Sequence, residues 1–343
     1  MSIAMRWEAF KARRRASSRS SASSASPAAN AEALIAPQPD EPPHSLRQHF
    51  AVSTRTLTVA DSNFDIYSVA PMKFGGDHGA ESEAFNELAP ADAARQAILY
   101  VLPGGFAQPI KKRNWDFIAT LANAGYRVDS PLYGLIPQHS VQHGVPLILE
   151  SYTQLIRDHG AENVHVIGDS AGGGLALAAL TSPYWTADER EQLNLPPANT
   201  LAPLPTPRSL LLNAPWVDIA LSNPALADVA DRDPLLDPLT LRRQGALWSR
   251  ISSPSGTHDL SSEHPAVSPL FVGNSTLQEA LSGTEVHIWC GDADISLPDA
   301  RALAQKTGAE LHEVTGALHM FHLGNTPEGK AARRSIVEII DRL

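Results

Sequence analysis

The stretch NVHVIGDSAGGGLALAAL, residues 163–180, constrains the fold of this chain more than any other. NVHVI is short, apolar and β-branched, which suits a buried strand. LALAAL is a strong helix former. Only the turn Gly168-Asp169-Ser170-Ala171-Gly172 separates them, so a strand passes almost directly into a helix. Glycines two residues to either side give room to a serine held in a strained turn, and the pattern matches G-x-S-x-G. The serine oxygen then stands above the sheet edge at a helix N-terminus, where free N–H groups and the helix dipole favour negative charge. The structural alternative is a tight strand-to-helix packing point, and the rest of the chain has to separate the two.

From residue 50 onward the pattern alternates. RTLTVADSNFDIYSVAP reads as two strands joined at DSN, followed by an acidic, glycine-containing loop at 75–94. AILYV, YRVDSPLY, NVHVIG, SLLLNAPW, EVHIWCG and AELHEVTG read as strands. Helical segments lie between them, and PEGKAARRSIVEIIDRL closes the chain as another. Alternating strands and helices imply a mostly parallel sheet covered on both faces, with sites at the strand C-terminal ends. Residues 217–265 break the alternation, are rich in Pro, Asp and Ser, and read as a cap-like insertion. We therefore expect an α/β domain over 50–343 and a tail over 1–49 that is disordered or partly helical. Within the tail, 16–45 is rich in Ser, Ala and Pro. Helical spacing would place Ile3, Trp7 and Phe10 on one face of residues 1–15, which is the pattern of a membrane-surface helix or part of a transit peptide; a solvated tail is the plainer expectation.

Charge excludes some partners. Of 27 basic residues, six fall within residues 1–19, leaving 21 basic and 36 acidic residues and a net charge of −15 beyond them. An acidic body argues against nucleic acid. The single cysteine, Cys290, excludes an intramolecular disulfide and a cysteine-based zinc site, and its apolar setting reads as a buried structural thiol. The basic N-terminus runs into Ser and Ala rather than an apolar core segment, so we expect no secretory signal. The expected location is cytoplasmic, with organelle targeting or membrane association through the N-terminus as the alternative. His139 and His143 stand four apart but lack the glutamate of H-E-x-x-H. KKR at 111–113 reads as a helix start, and FGGDHG as a turn. No metal or cofactor is expected.

A serine hydroxyl needs a histidine to take its proton and a carboxylate to orient that histidine. After a G-x-S-x-G turn of this kind the acid and then the histidine follow in chain order, so the candidate partners come after Ser170. Candidate bases are His287, His312, His319 and His322; candidate acids after the EVHIWCG strand are Asp292, Asp294 and Asp299.

GDSAGGGLALA resembles the α/β-hydrolases of the hormone-sensitive-lipase-like group of carboxylesterases. The resemblance extends over roughly residues 50–343: PLYGLIPQH (131–139), APWVD (214–218) and HPAVSPL (264–270) are similar to further landmarks of that group. It implies an α/β-hydrolase fold, a Ser-Asp-His triad and no cofactor. The family's H-x-F falls on His319 and its G-x-x-D on Asp294, with His322 and Asp292 as fallbacks and Asp299 opening or capping the next helix. The family's H-G-G-G-F falls on LPGGF. Leu102 stands in place of the histidine and Pro103 in place of the first glycine. Pro103 has no N–H to give, so the implied oxyanion donors are the N–H groups of Gly104, Gly105 and Ala171. The loss of the histidine removes a side-chain anchor from that loop. The resemblance implies hydrolysis of short-acyl esters, acetyl to butyryl-like, including acetyl esters of bulky alcohols such as sterols. A non-catalytic small-molecule-binding member of the fold, and an amidase or deacetylase using the same triad, remain as alternatives.

Overall fold

The computed structural model describes residues 1–22, 38–72, 96–197, 204–253 and 256–343. The loop expected at 75–94, including most of FGGDHG, and residues 23–37 of the tail lie outside the described residues. In chain order the elements are α1 (Ile3–Ala22), α2 (His44–His49), β1 (Phe50–Val59), β2 (Ser62–Pro71), β3 (Ala97–Val101), α3 (Lys112–Asn123), β4 (Arg127–Pro131) and α4 (Val141–His159). There follow β5 (Val164–Asp169), α5 (Ala171–Thr181), α6 (Ala187–Gln192), β6 (Ser209–Asn213), α7 (Ala227–Ala230), α8 (Pro238–Trp248) and the hairpin β7 (Arg250–Ser253) with β8 (Gly256–Asp259). The last part holds α9 (Asn274–Ala280), β9 (Glu285–Gly291), α10 (Leu297–Thr307), β10 (Glu310–Val314) and α11 (Pro327–Asp341).

Eight strands form one sheet in the order β1-β2-β4-β3-β5-β6-β9-β10. The first two pairings are antiparallel and the other five parallel. β5 lies near the middle and all six of its residues are buried, which its β-branched composition requires. β10, at the edge, has no fully buried position: Glu310 and Glu313 are exposed and the other three residues half-buried. Parallel crossovers put the ends of β3, β5, β9 and β10 on one rim of the sheet, which is where LPGG, Ser170, Asp294 and His319 follow in sequence.

α5 is buried along its whole length, from Ala171 to Thr181. Its glycines make this approach feasible. A methyl group on Gly172 would run into the carbonyl oxygens of Val101 and Leu102, and one on Gly174 into that of Trp216. Leu175, Leu177 and Leu180 bury their side chains here, each contributing about 1.5–3 kcal/mol.

Of the Ser-, Ala- and Pro-rich stretch 16–45, residues 23–37 lie outside the described residues, and only its two ends can be compared with the expected tail. α1 continues as helix to Ala22, and residues 38–45 are held against α3. Asp40 donates its N–H to the carbonyl of Ile110, its carbonyl accepts the Trp115 indole N–H at 2.9 Å, and its carboxylate accepts the Lys112 N–H at 3.0 Å. Composition gave no sign of this, because hydrogen bonds of the one residue Asp40 hold the segment, with Pro42 the buried apolar side chain within 38–45.

Candidate active site

β5 ends at Asp169, and Ser170 takes φ 53° and ψ −119° before α5 begins. A non-glycine residue in that region is strained by about 1–3 kcal/mol. Here both sides of the residue are tied down. The Ser170 N–H donates to the Asn213 carbonyl at 2.9 Å, and its own carbonyl accepts N–H groups from Gly173 and Trp216 at 2.9 Å each. The hydroxyl is thereby turned away from the helix and toward the loop after β10.

That loop presents His319. Its Nε2 lies 2.9 Å from Ser170 Oγ, and its Nδ1 lies 2.9 Å from Asp294 Oδ2. Asp294 is fully buried, and its other oxygen accepts the N–H and hydroxyl of Ser296 at 2.9 and 2.7 Å. Burial pulls the His319 pKa down, but the charge and hydrogen bond of Asp294, with Asp233 beyond it, outweigh burial and hold it above the ordinary imidazole value. Hydroxyl, imidazole and carboxylate thus form a continuous hydrogen-bonded path, an arrangement that can pass a proton from a serine hydroxyl to an imidazole and stabilise the resulting imidazolium.

The other candidates stand elsewhere. His322 is buried with its Nε2 3.1 Å from Asp169 Oδ2, away from the serine hydroxyl. The Asp292 carboxylate accepts the Gly316 N–H at 2.5 Å and fixes the turn after β10. Asp299 sits in the first turn of α10, accepts a hydrogen bond from Asn223 at 2.9 Å, and lines the cleft beside Ser170. Burial raises its pKa to about 6, with the Asn223 hydrogen bond opposing and the Asp218 charge adding to the rise. His287 and His312 lie within β9 and β10, short of the strand C-terminal ends that Asp294 and His319 follow.

On the opposite wall, Gly104 and Gly105 have φ 133° and 58°. Among the described residues no acceptor takes their N–H groups, and Ala171, at the first position of α5, has no intrahelical acceptor for its own. The loop is anchored without the family's histidine. The Tyr133 hydroxyl donates to the Leu102 carbonyl at 2.7 Å, and the Phe106 ring stacks on Trp248 of α8 with centroids 4.0 Å apart. Phe106 and Tyr133 are buried as supports, and neither lines the cleft at Ser170. Residues of the 217–265 insertion, Leu221, Leu236 and Leu241, close that cleft with Trp216 and Ile295, leaving about 10 Å³, room for little more than one water molecule.

Sequence reasoning missed two features. Asp233, in the insertion, accepts the Ile295 N–H at 3.0 Å next to Asp294, and burial followed by the Asp294 charge raises its pKa. Nothing in DRDPLL marks it. Asp169 accepts hydrogen bonds from Tyr100 at 2.5 Å and Asn213 at 2.7 Å besides facing His322. Here a signal existed, because an acid ending a wholly buried strand requires partners. For a metal, the described residues offer one group: His287, Glu310 and His312, with ligand atoms within 4.8 Å of one another and remote from Ser170 in the sheet. His139 and His143 are not part of any such group.

Residues 98–323 match the model of a family described as the α/β hydrolase fold. Among curated relatives, a triacylglycerol lipase of Mycobacterium tuberculosis is 27% identical over 212 residues, 59% of this chain and 44% of that protein. The match therefore spans less than half of the lipase. An acetyl-hydrolase of Streptomyces hygroscopicus is 26% identical over 71% of this chain and 74% of its own length. Among solved structures, an esterase of the bacterial hormone-sensitive lipase family superposes with a TM-score of 0.64 at 20% identity, covering 100% of this chain and 98% of its own.

Proposed function

Because the chain belongs to the α/β-hydrolase fold family, we propose that it is a serine carboxylesterase acting on short-acyl esters. The observation that carries this reading is the unbroken Ser170–His319–Asp294 path beside free backbone N–H groups. In the proposed cycle the Ser170 oxygen forms a bond to the ester carbonyl carbon while its proton passes to His319 Nε2. The N–H groups of Gly104, Gly105 and Ala171 receive the oxyanion. Collapse breaks the bond to the alcohol oxygen, which leaves with the proton from His319. Water then gives a proton to His319 and attacks the acyl-enzyme, and Ser170 departs with that proton, releasing the acid. Asp294 orients the imidazole and stabilises the imidazolium through its hydrogen bond to Nδ1.

The leucines, Trp216 and Ile295 crowded around Ser170 disfavour long acyl groups, and the names of the curated acetyl-hydrolase and lipase relatives agree with ester substrates. Labelling by a fluorophosphonate probe tests the activated serine, and a p-nitrophenyl ester series sizes the cleft. Turnover of acetate and butyrate esters, absent in Ser170→Ala, is the expected result. No labelling, or a preference for acyl chains of about eight carbons or more, would overturn the reading.

A further inference from the structure

Large apolar side chains scattered singly over a surface need no explanation, but a contiguous group does. Among the described residues the exposed ones are Met1, Ile3, Trp7, Phe10, Leu235, Leu239 and Phe271, so four of the seven fall in the first ten positions. Three of those lie on α1 at a spacing of four and three residues. At about 100° per residue they fall within roughly 60° of one another. Trp7 and Phe10 stack with ring centroids 5.5 Å apart, and both rings remain about half exposed, at 57% and 48%.

This face is not turned outward by fraying, because the opposite face is docked. Met5 and Ala12, roughly 180° around the helix, are buried. Ser2 donates its N–H and hydroxyl to the Glu328 carboxylate at the start of α11, and its hydroxyl accepts the Met5 N–H at 3.1 Å. Met1 rests against Gly316, three residues before His319. Charge completes the pattern. On the wheel Arg6 and Arg13 flank the apolar stripe on one side and Lys11 on the other, and Arg14 extends it with its guanidinium 5.8 Å from the Phe10 ring centre. Glu8 is the only acid among residues 1–19. The rest of the chain carries −15, so an anionic surface attracts this end and repels the remainder.

We propose that α1 is a membrane-surface helix that docks the protein onto anionic lipid, with Ile3, Trp7 and Phe10 at the headgroup–acyl boundary beside the loop that bears His319. An exposed apolar stripe rimmed by Arg and Lys is the form that lies in a bilayer interface. The described helices include none long and apolar enough to cross a membrane, so the helix lies on the surface. The proposal goes beyond the hydrolytic reading and is tested without substrate.

Co-flotation of the full chain with vesicles is the experiment, comparing pure phosphatidylcholine with about 30% phosphatidylglycerol. Wild type is expected to float with the anionic vesicles, and the triple variant Ile3→Ser/Trp7→Ser/Phe10→Ser to bind at least about tenfold more weakly. Raising salt from about 50 to 500 mM is expected to weaken wild-type binding as charges are screened. Turnover of a soluble p-nitrophenyl ester by the triple variant is expected to match wild type, showing that the fold is intact. No flotation of wild type, or equal flotation of the triple variant, would overturn the proposal. So would a lipid-free dimer that the triple variant converts to monomer, which would assign the stripe to a second copy of the chain.

Discussion

Asp299 carries a cost that depends on pH in a way the structure allows to be worked out. Its carboxyl is 2% exposed and its pKa is raised from 3.8 to about 6, chiefly by burial. A raised value means that the folded state holds the proton more tightly than the unfolded state. The resulting stability is fully present below pH 3.8 and is lost as pH rises through about 6. The gap corresponds to about 3 kcal/mol, roughly half of which is lost by pH 5 and all of it by pH 8. Asp299→Asn removes the ionisation and keeps an oxygen to accept the Asn223 hydrogen bond. The variant should gain stability over wild type at pH 8, and the gain should shrink by about 1.4 kcal/mol on going to pH 5. Urea unfolding of both proteins at the two pH values measures this directly. A gain of equal size at pH 5 and pH 8 would refute the reasoning, because it would show that charge burial is not what the substitution relieves.

With His319 as the proposed base, its raised pKa predicts an acid limb in kcat/KM for p-nitrophenyl acetate with its midpoint above 6.5, since the base must be neutral to accept the serine proton; a midpoint at or below 6.5 would contradict it. Asp233 adds to the field that holds the imidazolium, so Asp233→Asn should move that midpoint to lower pH, and an unmoved midpoint would remove Asp233 from the account. Tyr133→Phe leaves the buried Leu102 carbonyl without its donor, at a cost of about 1–3 kcal/mol; kcat should fall more than KM rises as the glycine loop loosens, and unchanged kcat would show that the loop does not depend on this anchor. Gly172→Ala drives a methyl group onto two backbone carbonyls and should destabilise by about 1–3 kcal/mol, read as a lowered Tm.

What was legible in the sequence is what local pattern encodes. The strand-to-helix passage at 163–180 and the alternation that orders the parallel sheet follow from short-range composition and spacing; these alone left four histidines and three aspartates open after Ser170, and only the family resemblance singled out Asp294 and His319 among them. The polar cluster behind Ser170 was not legible, because its members are brought together only by the sheet: Tyr100 is 69 residues from Asp169, Asn213 is 44 and His322 is 153. Asp233 was hidden for a related reason. It sits in an irregular insertion where no periodicity says which way a side chain points. At residues 38–45 the failure was of another kind, since compositional reasoning prices apolar burial and has no term for one aspartate whose backbone and side chain together hold a segment.

The strain at Ser170 and the buried acid beside it belong to one arrangement. A positive φ persists at a bulky residue only when its surroundings over-determine it. Here the end of β6 does so twice. The Asn213 carbonyl takes the Ser170 N–H, while the Asn213 side chain donates to Asp169 Oδ1 at 2.7 Å. Trp216, three residues on, donates its N–H to the Ser170 carbonyl. Relaxing the serine turn would therefore break bonds to β6 and leave part of the Asp169 cluster unpaired inside the protein, at a cost comparable to or above the strain relieved. The glycines around the serine do not by themselves hold it in this conformation. They let α5 approach closely enough that the end of β6 can.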